Sequence, residues 1–168
     1  MFKKVKIVII FLLIAFSGCK MNYSFTGGSI DPKIKTISIQ YFQNNAPIVQ
    51  PSLSQAFTEA LRDKFSSQTK LVLVNKGGDL NIAGSITGYS TQPIAIQGNE
   101  TAALNRLTIT VSVKFTNIID EKQNFEQSFS RYSDYQSSLS LSAVEETLIK
   151  DINEILVEDI FNKSVVNW

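Results

Sequence analysis

Between Arg106 and Thr116 apolar and polar residues alternate without a break. Leu107, Ile109, Val111, Val113 and Phe115 stand against Arg106, Thr108, Thr110, Ser112, Lys114 and Thr116. A period of two held this long predicts a strand with one buried face and one wet face. Ile37, Ile39 and Tyr41, alternating with Thr36, Ser38 and Gln40, predict an earlier strand over residues 34–42. The segment Gln43 to Pro47 ends it, since Asn and Pro favour turns over ladders. Leu53, Phe57, Leu61 and Phe65 then recur every fourth residue, which predicts a helix opening at Pro51-Ser52 and closing near Ser66.

Leu71 to Val74 is a short apolar strand. Asn75-Lys76-Gly77-Gly78-Asp79 reads as a hairpin turn into a strand over 80–89. Leu80, Ile82 and Ile86 share one face of that strand. Gly84 and Gly88 fall on the same parity, where they would let a helix approach closely. Residues 90–103 read as a loop, either a recognition loop at one end of the sheet or a strand extension with a tip. A turn at Asp120-Glu121-Lys122 returns the chain as a strand over 125–132 with Phe125 and Phe129 inward. Arg131 breaks that parity and predicts a bulge or the strand's end.

The last segment predicts a long helix. Ser142 and Glu145 have the spacing of a capping box, with Leu141 as the flanking hydrophobe. Val144, Leu148, Ile152, Ile155 and Ile160 form the stripe to be buried, widened by Leu156 and Phe161. Glu145, Glu146, Asp151, Glu154, Glu158 and Asp159, against Lys150 and Lys163, read as a solvated face. The order strand, helix, strands in hairpins, helix predicts a two-layer α/β (α+β) sandwich: two helices on one face of a small mixed, mainly antiparallel sheet of four to five strands. Its strand–helix–strand opening implies a right-handed crossover. The other sheet face would be polar and rich in Thr and Ser.

The first residues change the picture. Lys3, Lys4 and Lys6 lead an apolar run from Val5 to Phe16, followed by Ser17-Gly18-Cys19. A run this short is a secretory signal rather than a spanning helix, which needs roughly 20 apolar residues. Ending it on Ser-Gly-Cys resembles the lipobox of bacterial lipoproteins, in which the cysteine is lipidated and becomes the new N-terminus; Phe16 stands where the box usually has Leu. The chain thus divides into a signal peptide at 1–18, a lipidated N-terminus and tether at 19–33, and a domain over 34–168. Lys20, in place of the Asp that often retains lipoproteins at the inner membrane, favours the outer membrane.

Composition removes several function classes. The chain of 168 residues has one cysteine and no histidine. Once Cys19 carries lipid no disulfide can form, and the commonest metal ligand and general base are missing. No phosphate loop or catalytic triad is present, and adjacent carboxylates such as Glu145-Glu146 point different ways on a helix. The expected reading is therefore no enzyme, no metal and no cofactor beyond the covalent lipid. Cleavage before Cys19 removes three lysines and no carboxylate, leaving a nearly neutral chain, which argues against nucleic acid as a partner.

After Cys19, the segments YSFTGGSI, IKTISIQYFQNNAPIVQPSLSQAFTEALRDKF, RLTITVSVKFTN and EDIFNKSVVNW closely resemble the LptE family of lipopolysaccharide-assembly lipoproteins of Gram-negative bacteria. The resemblance runs from Tyr23 to Trp168. It implies two helices on one face of a small sheet. It also implies a lipid-anchored protein on the periplasmic face of the outer membrane, plugging an LptD β-barrel in the translocon that delivers lipopolysaccharide to the surface. This chain departs from what an anionic ligand demands, being near neutral with an acidic last helix. Lipid or partner contacts would fall to Arg106, Lys114 and Arg131 on the sheet's outward face or rim, with Thr108, Thr110, Ser112 and Thr116 bonding to the barrel lumen. The alternative is a periplasm-facing lipoprotein that regulates an envelope enzyme or pilots a secretin; a third reading is a binder of soluble ligands through the 90–103 loop.

Overall fold

The computed structural model of the chain describes residues 30–94 and 104–166. Cys19, the signal peptide, most of the tether and the tip of the 90–103 loop lie outside the described residues. Six strands and two helices follow in the order β1 (Thr36–Ile39), β2 (Gln43–Asn44), α1 (Leu53–Gln68), β3 (Val72–Val74), β4 (Leu80–Ile94), β5 (Leu104–Asn117), β6 (Phe125–Gln136) and α2 (Leu141–Phe161). They form one sheet, ordered β3-β1-β4-β5-β6, with β2 also beside β4. The sheet is mixed rather than mainly antiparallel. β1 runs parallel to β3 and to β4, and β2 parallel to β4, whereas β4, β5 and β6 are antiparallel.

Both helices cover one face, as the single apolar stripe on each requires. Leu107, Ile109, Val111 and Val113 of β5 are fully buried beneath them, with Leu80, Ile82 and Ile86 of β4. From α1 come Leu53, Phe57, Leu61 and Phe65; from α2, Leu148, Ile152, Leu156 and Ile160. Phe65 and Phe161 tie the helices edge to face at 5.0 Å, an aromatic geometry favourable beyond the area it buries. Ile155, expected in the stripe, is exposed; Ile149 and Val157 are buried instead. The helix starts after Ser140, two residues earlier than the capping box at Ser142 would place it, and Ser140 makes no side-chain cap bond.

The first strand is interrupted where its alternation predicted continuity. Ile37 and Ile39 are buried, but Tyr41 turns outward and Phe42 is fully buried. The reason is local: the Phe42 N–H leaves the ladder and donates to Thr58 Oγ1 of α1 at 3.1 Å. The ladder resumes at β2, past which Asn45 N donates to Ile86 O.

The segment Asn75 to Asp79 is a crossover, not a hairpin. β3 and β4 do not pair; each runs parallel to β1 on opposite sides, so the linker must pass over β1. It passes on the face away from the helices, where Gly78 N donates to Ser38 Oγ. A Cβ at Gly78 would lie 2.6 Å from Ser38 N and 2.8 Å from Ile37 C, so only glycine fits against the strand backbone. Gly77, at φ 70°, makes the turn that leads there.

Asp79 anchors the crossing. Its Oδ2 accepts from Lys35 N at 2.7 Å, Thr36 N at 2.9 Å and Thr36 Oγ1 at 3.0 Å. These donors, the Lys35 N–H foremost, hold its carboxyl below the usual carboxylate range. A lowered folded-state value gives stability that is complete above about pH 4 and lost as the pH falls through the lowered value. Asp79→Asn is therefore expected to unfold at lower urea than the wild type at pH 7, with the gap narrowing below about pH 4. A gap that stays constant down to pH 2.5 would show that the carboxylate charge contributes nothing.

Candidate functional site

The side of β4, β5 and β6 away from the helices is a polar surface of small side chains. Residues that share a face follow from register, because paired residues point the same way. One row is Gly88, Thr110 and Ser130; the next on one side is Ser90, Thr108 and Tyr132; on the other side it is Ser85, Ser112 and Ser128. Ala83, Lys114 and Glu126 follow towards one end, with Asn81 beside Thr116 beyond them, and Gln92, Arg106 and Asp134 lie towards the other end. Thr110 Oγ1 and Ser130 Oγ share a hydrogen bond of 2.9 Å across the middle row. No helix lies over these rows among the described residues.

Gly88 reaches this face through a β-bulge. The pairing of β4 with β5 shifts between Ile86 and Gly88, leaving Thr87 unpaired. The extra residue inverts the parity beyond it. Gly88 accordingly leaves the helix face expected for it and sits beside Thr110, where a Cβ would meet Thr110 side-chain atoms at 3.1 and 3.2 Å. Gly84 stays on the helix face, but what approaches it is the Phe42 ring rather than a helix backbone.

The same bulge returns Tyr89 to the core side, where its hydroxyl donates to Glu145 of α2. Burial and this carboxylate push the Tyr89 phenol well above its ordinary value, so it remains a donor. β4 also continues through Ile94, so residues 90–94 are strand rather than loop, paired with Leu104 to Thr108.

Of the residues singled out in the sequence, Arg106, Thr108, Thr110, Ser112, Lys114 and Thr116 come together on the open face. Arg106 is committed there: Nε lies 2.7 Å from Asp134 Oδ1 and an Nη nitrogen 2.9 Å from Oδ2. Its guanidinium also stacks 3.5 Å from the Tyr132 ring centre. Each partner favours the other's charged form, raising the Arg106 value and lowering that of Asp134. Lys114 is exposed, with Glu126 as its cross-strand neighbour.

Arg131 belongs to the opposite face. No bulge or strand end occurs at it: β6 pairs with β5 in continuous register from Phe125 to Gln136. Arg131 points to the helix side, where Nε lies 2.7 Å from Asp159 Oδ2 of α2. The sequence did not single out Tyr132, Asp134 or the serines of β4 and β6; only the cross-strand register places them. No helix of the described residues is long and apolar enough to cross a membrane, and no group of carboxylates among them is gathered to hold a metal ion.

A family model described as LptE, lipopolysaccharide-assembly, matches residues 34–164. No curated protein matches the chain. Among solved structures, a minor lipoprotein from Acinetobacter baumannii is similar at 15% identity, covering 78% of this chain and 92% of that one, with a TM-score of 0.47. An uncharacterized lipoprotein B from Nitrosomonas europaea is similar at 18% identity, covering 76% and 79%, with a TM-score of 0.47. The rare lipoprotein B from Shewanella oneidensis is similar at 14% identity, covering 74% and 91%, with a TM-score of 0.45.

Proposed function

The chain belongs to the LptE family of lipopolysaccharide-assembly lipoproteins of the envelope, and from that premise we propose that it plugs an LptD-like outer-membrane β-barrel through the open face of β4, β5 and β6. The observation that carries this reading is the composition of that face. Its central rows hold Gly88, Thr110, Ser130, Ser85, Ser112 and Ser128, and the larger side chains Tyr132, Lys114 and Glu126 stand only in the rows on either side. Such a surface is shallow, polar and able to donate or accept along its whole length, which matches the polar wall of a wide barrel. A water-facing sheet with no partner gains nothing from being this smooth. The charged residues at its ends are already balanced, Arg106 by Asp134 and Lys114 beside Glu126.

Cys19 supplies the anchor in this scheme. Cleaved before it and acylated, it holds the domain to the inner leaflet of the outer membrane. One acyl chain binds only marginally and several bind durably. Exported Cys19→Ala protein, made in cells lacking the barrel, is expected to move from the membrane fraction to the soluble periplasmic fraction. Persistence in washed outer membranes would overturn the anchor.

The plug is tested by tagging the lipoprotein and purifying it in mild detergent. A large β-barrel should be recovered at one copy per lipoprotein, and depletion of the lipoprotein should leave lipopolysaccharide on the periplasmic side. A lipoprotein recovered without any barrel overturns the reading.

A further inference from the structure

The geometry points to the groove between α1 and α2 as a docking site for a basic, extended polypeptide segment, on the side of the domain opposite the open sheet face. The groove encloses about 870 Å³. Its floor is low because α1 presents Ala56 and Ala60 to it. The α2 wall carries Glu145, Glu146, Asp151 and Glu154 against the single cation Lys150. At the lower end Lys64 of α1 and Glu158 of α2 form an ion pair that joins the two helices. The acidic run that reads from sequence as a solvated face thus lines, in large part, one concave surface.

A second feature points to a ligand there. Asn153 lines the groove with only 3% of its surface exposed, and its Oδ1 has no hydrogen-bond partner. A buried acceptor left unpaired is costly, so a donor arriving from the groove would relieve it. The site is also held in shape before anything binds. Glu145 accepts from the Tyr89 hydroxyl and, at 3.3 Å, from Gln50 Nε2, which fixes it at the upper end.

The spacing of the charges selects the kind of ligand. From Glu145 to Glu154 the helix rises about 14 Å, so the carboxylates are spread along the groove's length rather than gathered into a cage. No three of them gather to hold an ion among the described residues. An extended peptide advances about 3.3 Å per residue, so four to five residues carrying Lys or Arg would span that length. The alanine floor leaves room for their backbone, whose N–H groups are donors of the kind Asn153 Oδ1 lacks. This inference does not rest on the barrel-plug reading, and its test uses no barrel.

Full-chain protein in neutral detergent should bind a fluorescein-labelled twelve-residue peptide of alternating Lys and Ala, saturably and one to one, by fluorescence anisotropy. Glu146→Gln with Glu154→Gln should weaken binding about fivefold, as expected for two partly screened ion pairs. The exposed pair Glu59→Gln with Glu121→Gln, outside the groove, should leave it unchanged. Ala60→Leu, which obstructs the floor without altering charge, should also weaken it. Absence of binding, or equal weakening by both carboxylate pairs, overturns the proposal. So does displacement of the peptide by calcium or spermidine at matched charge concentration, since the groove would then read charge alone.

Discussion

Gly84→Ala is expected to lower the thermal midpoint of the full-length protein in detergent by roughly 10 °C, equivalent to about 3 kcal/mol for a domain of this size. A Cβ at Gly84 would stand 2.1 Å from the carbonyl oxygen of Ser112 and 2.6 Å from Cε1 of Phe42. The first atom is backbone in the β4–β5 ladder and can move only if strand pairing opens. The second belongs to a fully buried ring packed edge to face on Phe57 at 5.0 Å. Replacing Gly by Ala restricts the unfolded chain and returns about 0.4–1 kcal/mol, too little to offset the overlap. Gly88→Ala is the comparison. The close contacts of its new Cβ would be with Thr110 side-chain atoms, at 3.1 and 3.2 Å, and the nearest backbone atom, Thr110 N, lies at 3.8 Å, so it should cost about 1 kcal/mol or less. A Gly84→Ala protein melting within about 2 °C of wild type would mean that Phe42 does not sit over Gly84.

That contact shows why some features were legible in the sequence and others were not. The alternation from Arg106 to Thr116 reads correctly because β5 stays regular along its whole length and its period never slips. β4 slips once, at Thr87, and every parity inference beyond it inverts, which moves Gly88 to the polar face and brings Tyr89 to the core. Nothing local marks that residue as a bulge. The crossover at Gly77-Gly78 reads as a hairpin from sequence because two glycines serve either purpose. Which one they serve depends on β1 lying between β3 and β4, forty residues away in sequence.

Arg131 failed for the same non-local reason. A charge among inward phenylalanines looks like a break unless a carboxylate waits opposite, and Asp159 waits on another element. In α2, apolar residues at Ile149, Ile152, Ile155 and Val157 occupy most of the circumference. The packing of α1 then decides that Ile155 is left outside. The open face itself was half legible. Its central strand was identified from the sequence, but the small residues that make it smooth are contributed by β4 and β6 and appear only once the register is known.

Thr110→Trp is expected to reduce the recovery of a β-barrel with the tagged lipoprotein by about tenfold or more, roughly 1.4 kcal/mol of lost association, while the domain itself stays folded. Thr110 occupies the middle row, flanked by Gly88 and Ser130, so an indole there would rise from the centre of a surface built of glycine, serine and threonine. Within the free protein the change removes one partly exposed hydrogen bond to Ser130, a loss of about 0.5–1 kcal/mol. Against a close-fitting wall the added bulk could not be accommodated by rotation, because the proposed plug would have the neighbouring positions along the strand in contact as well. A clash of this kind is how surfaces reject a misfit partner.

Ile155→Trp makes the matching change on the helical side, where the native side chain is already large and 45% exposed. It should retain the barrel at close to the wild-type yield. Equal loss from both variants would show that the whole circumference of the domain is gripped and that the open face has no special part in binding. Retention by Thr110→Trp with loss from Ile155→Trp would turn the domain round, placing its helices against the barrel wall.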